Sequence, residues 1–472
     1  MQNREKLVLL FYTIFNIISN KFVPFYSDEA YYWVWSKKLA LSYFDHPPMV
    51  AYIIKLTTLF SDDVLFVRLG SALLVSGTLY TLYKLAKLAF DEKTAVYSFY
   101  IFISSIITIA ASTLITPDIP LMFFTSVFLY FAYKYTQTLS LKDALFLGIS
   151  AGAMMLSKYP AVLIIFTVLV YAVLYKREVF KDKSLYIASF VALLVFSPVL
   201  YWNYANDFIS FTFQINHGIA EEKVFKPDEL MNFLGAQFVL FHPFYLLPLL
   251  YFIIRDKERF EQKKVYFLLS FLFPIIFFSY FSAFKYANAQ WAALAYLSAT
   301  ILLGYYFAKF EMKKLLTSAM ILSGVIVILL KTPLGIDNLK PIEQLFSRLG
   351  KIQHFDKEIQ SLHLDLKSYK HILIDDYHGS EVAYYLKKTD NLLVLTDARF
   401  SNFNIWREQE NNITKESPLK KIPHLGKCLY IGTNTSHIEE LKKLFDTSKQ
   451  LGYFEKKVSF RTLKYHIVEF KN

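Results

Sequence analysis

The sequence predicts an all-helical domain that crosses the membrane many times, followed by a small soluble α/β domain. Hydrophobic residues make up 55% of the chain and aromatic residues 18%, more apolar side chain than one water-facing core can bury. Apolar runs of about twenty residues, long enough to span a bilayer, recur through the first two-thirds of the sequence and then stop. We therefore place the membrane domain at 1–334 and the soluble domain at 335–472.

About eleven apolar runs are candidates for transmembrane helices. They lie at 7–24, 64–83, 95–115, 119–133, 144–157, 160–175, 185–202, 230–254, 265–283, 289–308 and 315–331. Arg4 and Lys6 precede the first run, as in a signal peptide, but no small-residue cleavage site follows it. We therefore expect a retained first span.

Lysine and arginine are concentrated in every second connection, as the positive-inside rule requires when the N-terminus is cytoplasmic. The basic connections are those that follow the second, fourth, sixth, eighth and tenth runs. The opposite, outer side then receives 25–63, 116–118, 158–160, 203–229, 284–288 and everything after about 332. This topology places the protein in a membrane.

The net charge of +12 is spread over these short loops and is not gathered on one soluble face, so we expect no nucleic-acid partner. The single cysteine, Cys428, cannot form an intramolecular disulfide, and no Cys/His cluster has the spacing of zinc ligands. Clustered carboxylates could hold a divalent ion, but their pattern is not distinctive. We predict no required metal.

The last 138 or so residues have a higher charge density and shorter apolar runs, which are typical of a soluble domain. Short strands are predicted at 372–374, 392–395 and 429–431, helices at 381–387 and 438–445, and a pair of strands at the end. No glycine-rich phosphate loop is present in this segment.

The first outer loop carries the acids Asp28 and Glu29 and, further on, Asp45 and His46. Its aromatic residues at helical spacing predict helices that lie along the membrane interface, where tyrosine and tryptophan concentrate. Locally, Asp28 could merely cap such a helix and Glu29 could be a first-turn acid favoured by the helix dipole.

Two further ionisable residues stand at outer mouths between spans: Asp118 in Thr116-Pro117-Asp118 and Lys158 in Ser157-Lys158-Tyr159. Taken singly, Asp118 could cap the following helix and Lys158 could extend to the interface. Charges so close to hydrocarbon are costly, however, and a group of them on one side of the membrane indicates a functional site.

The ordered set Asp28-Glu29-Ala30-Tyr31-Tyr32-Trp33, Tyr43-Phe44-Asp45-His46-Pro47-Pro48, Thr116-Pro117-Asp118 and Lys158-Tyr159 resembles the GT-C glycosyltransferases related to protein O-mannosyltransferases. The branch that adds aminoarabinose to lipid A is most similar. The similarity extends into the tail at Asp375–Leu386 and Arg399–Trp406. One departure is clear: aminoarabinose transferases typically have lysine before the two prolines, whereas this chain has His46.

The resemblance implies a GT-C membrane domain that transfers a sugar, with inversion, from a polyprenyl-phosphate carrier to an envelope acceptor on the outer face. A hydroxyl acceptor needs a general base, for which Asp28 is the candidate. Glu29 and Asp118 would position the acceptor or stabilise the developing positive charge. Lys158, and next His46, would face the leaving phosphate. Lipid A or another glycolipid is the favoured acceptor, and a protein hydroxyl is the alternative.

Other polar residues are candidates for the substrate pocket. Asp45 and Tyr159 accompany the motifs, Gln237 lies within a predicted span, and Asn288 and Gln290 begin a later one. Gln237 could equally serve helix packing. Trp291, which follows Gln290, could be an interfacial anchor.

Two other classes of protein compete with an enzyme. A secondary transporter would also have about a dozen spans, but it tends to show internal repeats and charges near the midplane, and neither is evident. A membrane-anchored sensor would leave the first outer loop without a role.

Overall fold

A computed structural model describes residues 1–23, 25–218, 224–332, 363–395, 400–411, 426–458 and 461–472. The chain forms two compact units. The first comprises 1–21, 41–53 and 60–332, and the second comprises 22–40, 54–59 and 333–472. The domain boundary predicted at 334 lies outside the described residues. The second unit thus includes part of the first loop as well as the tail.

Helices account for nearly all of the regular structure up to residue 332. In chain order they are α1 Asn3–Ser19, α2 Ser27–Lys37, α3 Met49–Thr57, α4 Val64–Ala89, α5 Glu92–Ser104, α6 Ile106–Ala111, α7 Asp118–Thr138, α8 Leu141–Met155, α9 Ala161–Tyr175, α10 Lys183–Ala205, α11 Ile209–Gly218, α12 Pro227–Phe241, α13 Pro243–Arg255, α14 Gln262–Ser282, α15 Ala295–Lys309 and α16 Lys313–Lys331. Each predicted apolar run overlaps one of these helices or two consecutive ones.

Length and composition identify fewer spans than the apolar runs do. Among the described residues, four helices are long and apolar enough to cross a membrane by themselves: α4, α10, α14 and α16. The number rises to six if each of two pairs of helices separated by a short break is counted as one span. One of these pairs is α12 and α13, which meet at an angle of 102°. The count of eleven spans remains a prediction.

Several helices begin at residues whose side chains accept a hydrogen bond from the first turn. Asp63 accepts from Leu65 N (2.9 Å) at the start of α4, and Asp91 accepts from Thr94 N (2.7 Å) before α5. Asp182 does the same for α10 through Ser184 N (2.8 Å). These acids satisfy backbone N–H groups that have no partner within the helix, which fixes where each helix starts.

Close packing of α8 against α10 depends on two glycines four residues apart. A Cβ added at Gly148 would lie 2.4 Å from the backbone oxygen of Ala188, and one added at Gly152 would lie 2.5 Å from Cβ of Val195. Such small residues on one helix face let two backbones approach closely, a common device where lipid gives no hydrophobic drive to association. This contact fixes the end of α8, from which the turn carrying Lys158 continues.

The second unit contains a five-stranded mixed sheet with strand order β2-β1-β3-β5-β4. The strands are β1 His371–Ile374, β2 Leu392–Val394, β3 Cys428–Gly432, β4 Thr447–Val458 and β5 Arg461–Lys471. β1 pairs in parallel with β2 and β3, whereas β5 is antiparallel to β3 and β4. The helices of this part are α17 Ser380–Leu386, α18 Asn402–Asn411 and α19 Thr435–Lys442. Each strand and helix predicted in the tail overlaps one of these elements.

Two carboxylates of the second unit form hydrogen bonds with residues in and next to the sheet. Asp375, just after β1, accepts hydrogen bonds from Tyr430 Oη (2.6 Å) and Thr433 N (2.6 Å) and lies 2.9 Å from His437 Nδ1. Burial opposes ionisation, but these hydrogen bonds outweigh it and hold the pKa of Asp375 below its ordinary value. Glu469 on β5 is held in the same way, at a pKa of about 2, by bonds from Lys471, Tyr369 and Lys427 that outweigh its burial. Both acids therefore stabilise the sheet in their charged form.

Candidate active site

Asp118 and Lys158 form a buried ion pair in the first unit. The ammonium nitrogen of Lys158 lies 2.7 Å from Oδ1 and 2.9 Å from Oδ2 of Asp118. The side chain of Lys158 is 9% exposed and that of Asp118 is 20% exposed. Both residues sit at the ends of helices on the predicted outer side: Asp118 begins α7, and Lys158 lies in the turn between α8 and α9.

The simpler interpretations of these two residues do not fit their geometry. The residue at the N-cap of α7 is Pro117, and Asp118 is already the first helical residue, with its carboxylate directed to Lys158. Lys158 does not extend to the surface, since its head group is buried against Asp118. A buried ion pair gains little stability over apolar residues of the same size, so a role beyond folding is a reasonable inference.

The segment that carries Asp45 and His46 is held by α11. The Ser210 hydroxyl donates to the backbone oxygens of Tyr43 (2.8 Å) and Phe44 (2.9 Å), and Gln214 Nε2 donates to that of Asp45 (2.9 Å). These bonds fix the backbone on the N-terminal side of His46. Asp45 itself is buried.

On its other side the same segment is attached to the end of α8. The amide of Met49 donates to the backbone oxygen of Leu156 (3.1 Å), two residues before Lys158. Met49 and Tyr159 also share an apolar cluster with Phe211, whose ring packs edge-on against that of Tyr159 at 5.6 Å. The structure thus brings the His46 loop and the Lys158 turn together, as the sequence motifs suggested.

Asp28 and Glu29 belong to the second unit, in the first turn of α2. Tyr26 is the N-cap residue, and its backbone N–H donates to Oε2 of Glu29 (3.1 Å). Glu29, which is fully buried, is therefore the acid that reaches back to the N-cap amide of α2. It stands at the N3 position, the usual place for such an acid.

The aromatic face of α2 packs on protein instead of forming an exposed apolar surface for the membrane interface. The Tyr31 hydroxyl accepts a hydrogen bond from Asn402 N (2.8 Å), and the ring of Trp33 packs edge-on against Tyr384 at 5.2 Å. Tyr384 lies in α17 and Asn402 begins α18. These are the two tail segments in which the sequence resembles the aminoarabinose transferases, and their contribution is to fix the helix that carries Asp28.

Gln237 has a structural role within the first unit. Its Nε2 donates to the backbone oxygens of Phe233 (3.2 Å) and Ala289 (3.1 Å), and its Oε1 accepts from the Tyr296 hydroxyl (2.5 Å). The amide thereby links α12 to α15 and to the short turn before it. Because protein groups already occupy both ends of this amide, the structure favours the packing interpretation of Gln237 over a place in the substrate pocket.

Asn288 and Gln290 lie at a 3-10 turn, Ala289–Ala292, before α15. Asn288 accepts a hydrogen bond from the Tyr286 hydroxyl (3.2 Å), and Gln290 is exposed. Trp291 packs on Phe278 at 6.0 Å between ring centroids. The place of Asn288 and Gln290 in the substrate pocket stays a prediction.

Two further buried polar groups are His242, which the sequence places in the same predicted span as Gln237, and Lys331, which sequence reasoning missed. His242, at the break between α12 and α13, has a φ of 127° and caps α13 through Phe244 N (3.1 Å). Lys331, at the end of α16, is buried among amide and hydroxyl oxygens. A lysine inside the last apolar run is the signal that could have revealed the second of these. Within the described ranges no group of three or more His, Cys, Asp or Glu side chains could hold a metal ion.

Comparisons with known proteins agree with this architecture. Residues 45–202 match the family described as dolichyl-phosphate-mannose-protein mannosyltransferase. This third of the chain contains His46, Asp118 and Lys158. The lipid A galacturonosyltransferase RgtD of Rhizobium johnstonii is 28% identical over 305 residues, covering 63% of this chain and 64% of that protein. The chain thus aligns with just under two thirds of the length of that relative.

Among solved structures, ArnT from Cupriavidus metallidurans bound to undecaprenyl phosphate has a TM-score of 0.70 at 13% identity and covers 98% of this chain and 97% of that one. Its apo state gives a TM-score of 0.69 at 14% identity, with coverage of 99% and 98%. At such low sequence identity, the structural similarity to ArnT establishes the fold alone. Taken together, the motifs, the match over residues 45–202 and the shared fold make the chain similar to the GT-C membrane glycosyltransferases, among them the protein O-mannosyltransferases and the lipid A aminoarabinose transferases.

Proposed function

We propose that the protein moves a sugar from a polyprenyl-phosphate carrier to an envelope glycolipid on the outer face of a bacterial inner membrane. The observation that carries this proposal is the buried Asp118–Lys158 pair beside the segment of Asp45 and His46. A lysine ammonium in a poorly solvated site is the kind of group that a departing lipid phosphate needs, and we take this site to lie at the outer boundary of the membrane. The relative named as a lipid A galacturonosyltransferase supports a lipid A-like acceptor.

The reaction is a single displacement with inversion. The acceptor oxygen attacks the anomeric carbon, the bond from that carbon to the phosphate oxygen breaks, and its electron pair remains on the lipid phosphate. The acceptor proton passes to a carboxylate, for which Asp28 is the candidate. The growing negative charge on the phosphate is stabilised by Lys158, which has one N–H beyond the two directed to Asp118.

Asp118 has two effects in this scheme. Its carboxylate orients the lysine ammonium, and its negative charge can favour the positive charge that develops on the sugar ring. His46 would assist at the phosphate from the neighbouring loop, in the place of the lysine typical of aminoarabinose transferases. Glu29 would hold Asp28 in position through the start of α2. A divalent ion is not needed for any of these steps.

The proposal is tested by transfer from a radiolabelled polyprenyl-phosphate sugar, with purified full-length protein in lipid. We expect label to move to lipid A or a related glycolipid, with the free lipid phosphate as second product. Galacturonic acid, aminoarabinose and neutral hexose donors should be compared, and a protein fraction should be offered as the competing acceptor. Label found only in protein would favour the O-glycosyltransferase alternative, and no transfer from any donor would overturn the assignment.

The predicted orientation in the membrane can be checked with introduced cysteines in a Cys428→Ser background. Phe60→Cys and Tyr286→Cys lie on the predicted outer side at positions 93% and 54% exposed, and we expect an impermeant thiol reagent applied to the periplasmic side to label them. Glu258→Cys, 74% exposed on the opposite side, should react only after permeabilisation. The reverse pattern would put the Asp118–Lys158 pair on the cytoplasmic face.

A further inference from the structure

A groove separate from the Asp118–Lys158 pair runs between the first and last helices of the membrane unit. It lies between α1, α5, α6 and α16 and encloses about 190 Å³. Its wall is mainly apolar, with Phe15, Ile103, Ile109, Met320 and Val327 among the lining residues. At one end this wall gives way to Lys331 and its polar neighbours. The proposed reaction makes no use of this groove.

The ammonium of Lys331 is surrounded by neutral oxygens. The residue is 1% exposed, and it donates to Oδ1 of Asn20 (3.2 Å), to Oγ of Ser112 (3.1 Å) and to Oδ1 of Asn16. In the part of the chain that the structure describes, no carboxylate forms an ion pair with it. A buried charge without a counter-charge is costly in a medium of low dielectric, and such a residue within a span is a candidate for a functional site.

A second cation lies close to the first. The guanidinium of Arg68, fully buried, donates to the backbone oxygen of Asn20 (2.7 Å), whose side-chain oxygen binds Lys331. The Asn20 amide nitrogen is itself bound to the backbone oxygen of Ser112 (2.7 Å). Two positive charges are therefore held near one asparagine, at the end of an apolar groove. The ammonium of Lys331, whose partners here are neutral oxygens, would attract an anion.

An unused hydrogen-bond donor points to the same conclusion. The hydroxyl oxygen of Tyr12, in the lining of the groove, is buried beside Ser112 and Asn16 but makes no hydrogen bond of good geometry with the described residues. Buried hydroxyls are nearly always hydrogen-bonded, so a missing partner calls for an explanation. An anionic oxygen at the end of the groove would accept a hydrogen bond from the Tyr12 hydroxyl. It would also balance the positive charge of Lys331.

We propose that this groove binds an anionic phospholipid of the surrounding membrane, with its phosphate at Lys331 and Tyr12 and an acyl chain along α1 and α16. The position of the groove supports a membrane lipid as the occupant. Its two flanking helices expose large apolar side chains on their outer surfaces, among them Phe11 and Phe15 on α1 and Ile321 and Ile328 on α16. The groove is therefore accessible from the region that acyl chains would occupy.

The test uses purified full-length protein, stripped of lipid, with dioleoyl-phosphatidylglycerol and dioleoyl-phosphatidylcholine titrated in native mass spectrometry. We expect phosphatidylglycerol to bind more tightly than phosphatidylcholine, and Lys331→Met to weaken phosphatidylglycerol binding about tenfold or more. Lys314→Met, at an exposed position on the other end of α16, should bind like the parent protein. Equal affinity for the two lipids in the parent would overturn the proposal.

A variant that fills the groove gives an independent test. Gly324 lines the groove, and a Cβ added there meets no atom within 4 Å, so Gly324→Leu should block the acyl chain without a clash. Gly235 on α12 has the same open surroundings outside the groove, and Gly235→Leu is the matched control. We expect weaker phosphatidylglycerol binding in the first variant only. Parental binding by Gly324→Leu would show that the lipid lies elsewhere.

Thermal unfolding in nanodiscs distinguishes a structural role of Lys331 from a role in lipid binding. Loss of a structural hydrogen-bond centre would lower Tm equally in phosphatidylcholine and in phosphatidylglycerol. Loss of a lipid site would instead abolish the extra stability that phosphatidylglycerol gives to the folded parent, because a ligand stabilises only the state that binds it. Binding of undecaprenyl phosphate but not of phosphatidylglycerol at this groove would also overturn the assignment.

Discussion

Replacement of Lys158 by methionine is expected to lower turnover by on the order of a hundredfold to a thousandfold, the usual loss when one preorganised donor to a developing charge is removed. Methionine has nearly the length of lysine but no charge, so the leaving phosphate would meet an apolar group. The same change leaves the Asp118 carboxylate buried without its partner. We therefore expect a loss of stability as well, since breaking a buried pair typically costs about 3–5 kcal/mol.

The double variant Asp118→Asn/Lys158→Met separates the two effects. Both charges are absent from it, so the unpaired carboxylate no longer destabilises the fold and thermal stability should return toward the parental value. If the pair serves only the fold, activity should return with stability. If Lys158 acts on the phosphate, the double variant should be stable and still inactive. Both its turnover and its affinity for the donor should then be reduced.

Lys183→Met is the matched control for this experiment, because Lys183 is exposed at the start of α10, far along the chain from the pair. It should retain parental stability and transfer. Recovery of both stability and turnover by the double variant would reduce the Asp118–Lys158 pair to a packing element. Activity should be measured at limiting and at saturating donor, so that weak binding is not mistaken for slow chemistry.

The helical part of the fold could be predicted because hydropathy acts locally. Each apolar run must satisfy its own backbone hydrogen bonds in lipid, so a helix is expected wherever the run is long enough. Hydropathy alone did not give every helix start, since residues such as Asp63 and Asp91 cap the helices that they precede. What local pattern did not reveal is how runs divide, for example the break at His242 between α12 and α13.

The site could be predicted in part for a similar reason. Charged residues so close to hydrocarbon are costly, and a group of them on one side of the membrane made Asp118 and Lys158 candidates. Their pairing depends on contacts between helices that are distant in sequence. Gln237 shows the opposite case, since a polar residue in a span suggested a pocket, while its partners on Tyr296 and Ala289 explain it by packing.

The environment of α2 was the feature least accessible from sequence. Its tyrosines and tryptophans are as suitable for a membrane interface as for a protein core, because both environments favour amphipathic aromatic rings. The choice was decided by the tail, through contacts such as those of Tyr31 with Asn402 and of Trp33 with Tyr384. No pattern within the first loop contains that information.

Replacement of Asp28 by asparagine is expected to reduce turnover by roughly a hundredfold or more, the usual contribution of a positioned general base. Asparagine keeps the size of the side chain and its ability to accept hydrogen bonds, but it cannot take a proton at neutral pH. The start of α2 should be preserved, because Glu29 keeps its hydrogen bond from the Tyr26 amide and asparagine caps helices about as well as aspartate. The variant should therefore remain folded and still bind the lipid-linked donor.

Glu29→Gln is the comparison variant that decides which of the two acids is the base. The glutamine side-chain oxygen can still accept the Tyr26 amide, so the cap survives, and only the charge is lost. We expect a smaller loss of turnover than for Asp28→Asn, measured with purified protein in lipid and with monodispersity as the folding control. A larger loss for Glu29→Gln would transfer the role of base to Glu29. Near-parental turnover by both folded variants would exclude this acid pair from proton transfer, and the base would then have to be sought at Asp45 or Asp118.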